Sequence, residues 1–248
     1  MNNNIFIFGI RIDNVTYTKV LQKIEDFIKS DKLHVLVFAN PEIVMKACKY
    51  PEYKKYINNV DLVAPDGIGL IWASKILGNP LKERVTGTDI TYKLAELSAK
   101  KGYSLYFIGG ENGVAEKAVE NLKRLYSGVN IIGFHHGFWE KEKEEEIIKD
   151  INSKNPDILM VCLGMYKQEM WIKKNLHNLN VKICFGNGGA LDFVSGKRKR
   201  APKWIINMGL EWLIRLIQDP CRVKRQYQIL LFIILVFFEK IKIFWRKK

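Results

Sequence analysis

The sequence predicts a layered α/β fold: a Rossmann-like, mostly parallel sheet flanked by helices, with a basic α-helical appendage at its C-terminal end. Three observations carry this expectation. Six short apolar runs recur up to residue 189, and amphipathic segments separate them. No strand signal follows residue 196, where the composition turns basic.

The runs are HVLVFA (34–39), VDLVA (60–64), SLYFIGG (104–110), VNIIGF (129–134), DILMVCLG (157–164) and VKICFGNGG (181–189). Continuous rather than alternating hydrophobicity suits strands covered on both faces. Helical patterning falls at 17–29, 88–101, 113–126 and 140–153, with Thr88 or Asp89 as the expected N-cap of the second. Beyond SGKRKRAPKW (195–204), two further helices are expected at 203–217 and 221–238, separated by Asp219-Pro220. The organisation read from this is a Rossmann-like core over residues 1–196 and an appendage over 197–248, with no internal repeat.

A chain of 248 residues buries enough surface to fold without staples. Its four cysteines, Cys48, Cys162, Cys184 and Cys221, form no C-x-x-C pair, and its four histidines form no H-E-x-x-H, so buried free thiols and no metal site are expected. The opening MNNNIFIFGIRID lacks a basic segment ahead of its apolar residues, which predicts a cytoplasmic rather than a secreted chain.

The net charge of +14 is unevenly placed: from Lys197 onward stand fourteen Lys and Arg against three acids. Such a tail implies an anionic partner, either nucleic acid or an acidic membrane face. The ten-residue apolar run Ile229–Phe238 is too short to span a bilayer and could pack as a core helix. The Lys240, Lys242, Trp245, Arg246, Lys247 and Lys248 that follow suit a helix lying on a cytoplasmic leaflet. Nucleic acid would not solvate that apolar run, which disfavours a nucleic-acid-binding module.

Candidate site residues gather where strands end. Asp66 stands between Pro65 and Gly67 after the second apolar run; Asn40 follows the first and Gln168 the fifth, with Arg84 in an adjoining loop. Ligands of open α/β sheets bind at the carboxyl ends of strands, although a turn, a cap and a surface ion pair account for the same residues singly. Glycines in IGGENGVAEKA (Gly109, Gly110) and CFGNGGALDF (Gly186, Gly188, Gly189, ahead of Asp192) would let amide groups approach a phosphate. Neither G-x-G-x-x-G nor a P-loop is present, which disfavours a nicotinamide oxidoreductase and a Walker ATPase.

The blocks ANPEIVM, APDGIGLIWASKILGNPLKERVTGTD, LGMYKQEMWI, GNGGALDFVSGKRKRAP and LEWLIRLIQDPCRVKRQ together resemble the WecG/TagA/CpsF glycosyltransferase family over residues 5–228. The resemblance implies an inverting, metal-independent transferase needing no cofactor and working peripherally at the inner membrane face. Its implied partners are a UDP-sugar donor, a polyprenyl-diphosphate-sugar acceptor and an anionic membrane surface; homo-oligomerisation is left open. In the TagA-like branch, N-acetylmannosamine moves from UDP to undecaprenyl-diphosphate-linked N-acetylglucosamine, beginning the wall teichoic acid linkage unit; another UDP-sugar and a capsular product are the alternative. Carried over, Asp66 is the catalytic base, Asn40, Arg84 and Gln168 are pocket residues, and Arg215, Arg222 and Arg225 are arginines delivered by the C-terminal arm. Phe38 departs from a threonine often found there, which bears on the tuning of Asp66 or on acceptor identity. Since no D-x-D is present, arginines would take the place of a metal at the departing diphosphate.

Overall fold

The computed structural model describes residues 4–218 and 223–246. An antiparallel hairpin comes first, β1 (Asn4–Ile7) and β2 (Ile10–Asp13). Then follow α1 (Tyr17–Ile28), β3 (His34–Ala39), α2 (Pro41–Lys49), α3 (Pro51–Asn59), β4 (Leu62–Pro65), α4 (Ile68–Leu77), α5 (Gly87–Lys101) and β5 (Leu105–Gly109). The second half runs α6 (Val114–Leu125), β6 (Ile131–His135), α7 (Glu144–Lys154), β7 (Ile158–Cys162), α8 (Lys167–Asn175), β8 (Ile183–Gly186), α9 (Ala190–Val194), α10 (Lys203–Asn207), α11 (Glu211–Gln218) and α12 (Val223–Arg246).

All six expected strands are present, and they form one all-parallel sheet in the order β4-β3-β8-β7-β5-β6. Alternate strand residues feed two cores. Val35, Val37 and Ala39 of β3 join residues of α2, α3, α4, α7 and α8 on one face. Leu36 and Phe38 join α1, α5, α6 and α9 on the other. A sheet buried on both faces is what the continuous apolar runs require.

Several boundaries differ from the expected ones. The N-cap of α5 is Thr86, not Thr88 or Asp89: its hydroxyl accepts from the Asp89 amide at 3.2 Å and donates to the Asp89 carboxylate at 2.7 Å. Both expected caps therefore lie inside the first turn. The helix expected over 203–217 is two helices, because Gly209 takes φ +76 and ends α10, the Leu210 amide reaching back to the Ile205 carbonyl at 3.0 Å. A Cβ at Gly209 would stand 2.6 Å from Ile68, so the same residue lets this corner press onto α4. The last helix, expected over 221–238, runs from Val223 to Arg246; Asp219-Pro220 lies outside the described residues. Of the cysteines, Cys162 and Cys184 are buried free thiols, whereas Cys48 is exposed because it falls on the outer side of α2; Cys221 lies outside the described residues.

The helix α12 returns to the core rather than standing clear of it. Phe232 and Val236, four apart and so on one face, are fully buried against α2 and α4. Phe8 meets Phe232 edge-on at 5.6 Å. Phe8 sits with Gly9 in the β1–β2 turn, both at positive φ, a backbone geometry unusual for an aromatic residue and typical of two-residue hairpins. Among the described residues, no helix is long and apolar enough to cross a membrane.

The basic hinge is largely neutralised from within. Lys197 pairs with Glu111, Arg198 with Asp192 at 3.5 Å, and Arg200 with Asp89. Burial raises the Asp89 pKa, but hydrogen bonds from Arg200 and Thr86 outweigh it and bring the carboxyl down to about 2. A carboxyl lowered from 3.8 to about 2 on folding stabilises the fold above about pH 4, and that contribution is lost as pH falls through about 2. Asp89→Asn should therefore lower unfolding free energy on the order of 1–2 kcal/mol near neutrality after solvent screening, with the difference vanishing at the acid end of a urea-denaturation pH series.

Candidate active site

Parallel strands point their carboxyl ends the same way, and the loops after β3, β4, β5, β7 and β8 enclose a polar cleft of about 310 Å³. Asn40, Asp66, Gly110, Gln168, Gly188, Gly189 and Asp192 all line it, so the structure brings together residues from five strand ends. Gly109 does not line it. A Cβ there would stand 2.2 Å from the Cys162 carbonyl oxygen, so its glycine serves the close approach of β5 to β7. Residues that strand-end reasoning missed include Glu42, Lys167 and Asn187 on the cleft wall; none sits in a recognisable spacing.

The turn after β4 places Asp66. Its amide and that of Gly67 both donate to the Ala39 carbonyl, at 2.8 and 3.1 Å, which ties the end of β4 to β3. A Cβ at Gly67 would fall 2.4 Å from Pro41, so only glycine lets α2 lie this close. The Asp66 carboxylate is partly exposed; one oxygen accepts from the Gly87 amide at 3.4 Å and the other lies 4.0 Å from Arg84. Arg84 Nε donates to the Asp66 carbonyl at 2.6 Å, while Nη2 donates to Glu211 at 2.8 Å. Glu211 is buried and comes from α11, so one guanidinium joins the Asp66 turn to the C-terminal helices.

Asn40 caps α2, its side-chain oxygen accepting from the Ile43 amide at 3.0 Å. Gln168 is buried and used at both ends: Oε1 accepts from the Gly188 amide at 2.8 Å and Nε2 donates to Glu169 at 2.6 Å. Glu169 is itself buried, which raises its pKa, and the Tyr166 amide also donates to it at 2.6 Å. Tyr166 holds φ +73, a costly backbone state for a bulky residue, in the turn between β7 and α8 beside the cleft. Gly186 completes this packing, since a Cβ there would stand 2.4 Å from the Gln168 amide nitrogen. Gln168 thus holds the glycine turn after β8 in shape. Phe38 is buried edge-on to Phe185 at 5.3 Å and meets the cleft as an apolar wall. Arg215 and Arg225 lie on α11 and α12, but their side chains, like the whole of Arg222, lie outside the described residues.

A second cleft, of about 250 Å³, opens on the other side of Asn40, Glu42 and Asp66. Its remaining walls come mainly from α4, α11 and α12, with Trp72, Trp212, Leu216, Leu230 and Ile233 prominent, and Arg84 and Glu211 stand at its polar end. Asp66 therefore borders both a polar and an apolar space.

A polar crevice at the carboxyl ends of parallel strands, with Asp66 on its wall, is where an open Rossmann-like sheet binds its ligands. The chain belongs to the Glycosyl transferase WecG/TagA/CpsF family, whose model it matches over residues 5–245, and it is a glycosyltransferase. It is similar to the N-acetylglucosaminyldiphosphoundecaprenol N-acetyl-beta-D-mannosaminyltransferase of Bacillus spizizenii, 34% identical over 203 residues that cover 82% of this chain and 78% of that protein. Proteins of the same description in Bacillus subtilis and Staphylococcus aureus MRSA252 are each 31% identical, covering 90% and 91% of this chain and 87% and 89% of theirs.

Arg84→Lys keeps the charge but loses the planar fork that reaches Asp66 and Glu211 together. Charge-assisted hydrogen bonds contribute roughly 1.5–3 kcal/mol, so steady-state kcat/KM for sugar transfer should fall about ten- to a hundredfold.

Proposed function

We propose that this protein transfers N-acetylmannosamine from a UDP-linked donor to N-acetylglucosamine carried on undecaprenyl diphosphate, the step that starts the wall teichoic acid linkage unit. The observation that carries this reading is the position of Asp66 on the wall between the two clefts, in a chain whose relatives bear the name of that reaction.

In the proposed mechanism the donor lies in the polar cleft, its diphosphate toward the glycine turns after β5, β7 and β8. Glycine amides can approach phosphate closely, and the Gly188 turn is held rigid by Gln168. The acceptor hydroxyl approaches from the Asp66 side. As it attacks the anomeric carbon, Asp66 takes its proton and the bond to the nucleotide diphosphate breaks on the opposite side. One displacement inverts the anomeric centre, which agrees with a beta-linked product from an alpha-linked donor. Arg215, Arg222 and Arg225 of the tail are the proposed partners of the departing diphosphate. The roles of Asn40 and Asp192 in this reading are to shape the wall beside the reacting sugars, and Arg84 holds the Asp66 turn through its carbonyl.

The same reading puts the protein at the inner membrane face. Leu230, Ile234, Phe237, Phe238, Ile241 and Phe244 recur at helical spacing along α12 and are exposed, opposite the stripe that carries Phe232 and Val236. Apolar surface of this kind, followed by Lys240, Lys242 and exposed Trp245, suits a helix lying in a headgroup layer.

Asp66→Asn should lower turnover on the order of 10²–10⁴ while leaving donor affinity within a few-fold; near-normal turnover would remove Asp66 from the chemistry. Paired Phe238→Asp and Ile241→Asp substitutions, both at exposed positions, should weaken flotation with phosphatidylglycerol vesicles at least tenfold without changing the thermal midpoint. Undiminished flotation would take α12 out of the membrane contact.

A further inference from the structure

The apolar cleft between α4 and the tail helices is not used by the donor in the mechanism proposed above, yet Asp66 lines it too. We infer that it receives the isoprene units of the acceptor nearest its diphosphate, with that diphosphate at Arg84 and the sugar reaching over Asp66 toward the polar cleft. This rests on the transfer reading above and assigns the acceptor's lipid a place in it.

Three observations carry the inference. The first is the division of character across one wall. Asn40, Glu42 and Asp66 line both clefts, so a molecule on each side can meet only there. The polar side has glycine turns and Gln168, Asn187 and Asp192; the other has Trp72, Trp212, Leu216, Leu230 and Ile233. A ligand filling the second cleft must be apolar over most of its length.

The second is the charge at its inner end. Among the described residues that line this cleft, Arg84 is the cation and Glu42, Asp66 and Glu211 are the carboxylates; Arg84 is aligned by the Asp66 carbonyl at 2.6 Å and Glu211 at 2.8 Å, which use two of its five N–H groups. At the polar end of an apolar groove, the remaining N–H groups of a guanidinium suit a phosphate followed by a hydrocarbon tail. A phospholipid shares that chemistry, but its head is joined to two acyl chains and carries no sugar to present at Asp66. A polyprenyl diphosphate sugar has the sequence of groups that the site displays: sugar, diphosphate, single branched hydrocarbon.

The third is where the groove leads. Its outer walls are α11 and α12, and Leu230 belongs both to the cleft lining and to the exposed apolar stripe of α12. The groove is thus continuous with the surface proposed to meet the membrane, and a lipid chain could pass from one to the other without crossing polar protein. On the α4 side a Cβ at Gly69 would press to 2.6 Å on Pro41, so α2 and α4 pack closely where they line the groove.

The test uses the full chain, without vesicles or detergent, so that membrane docking cannot contribute. Two acceptors are compared, N-acetylglucosamine diphosphate bearing one isoprene and the same head bearing four. The unaltered protein should show a KM at least tenfold lower for the longer acceptor, and farnesyl diphosphate should compete with that acceptor but not with the donor. Trp72→Ala should bring the two KM values to within about threefold of each other. Leu230→Asp, at an exposed position where folding is not at risk, should do the same. Transfer to both acceptors with equal KM by the unaltered protein, or farnesyl diphosphate competing with the donor, would overturn the lipid subsite while leaving the transfer reading in place. Transfer to neither would overturn the transfer reading and this inference with it. A chain-length preference that survives both substitutions would place the lipid elsewhere.

Discussion

The structure depends on one topological constraint, the point in the parallel sheet where successive strands send their helices to opposite faces. β8 lies between β3 and β7. The chain leaves β3 and β7 for α2 and α8 on one face, but leaves β8 for α9 on the other. Loops that diverge in this way cannot cover the sheet edge between them, so a crevice opens there at the carboxyl ends. Asn40, Gln168 and the Gly186–Gly189 turn belong to those three loops, and the cleft is lined by all of them. The site is a consequence of strand order before it is a consequence of any residue.

Given the crevice, buried polar groups hold its rim. Gln168 spends its carbonyl on the Gly188 amide and its amino group on Glu169, and Glu169 in turn holds the Tyr166 turn. Every link joins groups that would be costly to leave unpaired so far from water. The strained φ of Tyr166 is tolerable in this setting, since its ring also packs against Tyr53 at 5.1 Å and Tyr50 at 5.7 Å. On the opposite rim Arg84 performs a similar service across a longer reach, linking Asp66 to a carboxylate of the C-terminal helices. The rim that borders the polar cleft is thus internal to the core, whereas the rim that borders the apolar groove needs α11 to be complete.

What could be read from the sequence follows the range of the interactions. The parallel strands were legible because burial on both faces writes itself as an unbroken apolar run, and Asp66, Asn40 and Gln168 were legible as the polar residues that end those runs. The hairpin of β1 and β2 was not, because its strands are four residues long and its turn is Phe8-Gly9 rather than an Asn-Gly or Asp-Gly pair. The α5 cap was misplaced because Thr86, Thr88 and Asp89 are all competent caps, and only the Tyr17 hydroxyl, bonded to the Thr86 amide at 2.7 Å and to Asp89 at 3.0 Å, selects among them. The Arg84–Glu211 pair joins residues 127 apart, and the second cleft is built from helices on either side of that separation. No local pattern encodes such a meeting.

The last helix carries the tension that ties these parts together. An α-helix in contact with one core has a single face to bury, yet α12 is apolar on two: Phe232 and Val236 inward, Ile234, Phe238 and Ile241 outward. The inward face is secured by the hairpin through Phe8 and by α2 and α4, so the helix is not free to turn over and bury the other. The outward face then has a free-energy incentive to leave water that nothing in the described chain satisfies. A surface that supplies a hydrocarbon phase would satisfy it without disturbing the inward contacts, and would do so with Arg84, Glu211 and the groove between α4 and the tail helices already in place. Under the proposed membrane contact, the sheet and the polar cleft keep their own packing, and the proposed effect falls on the helices that wall the apolar groove.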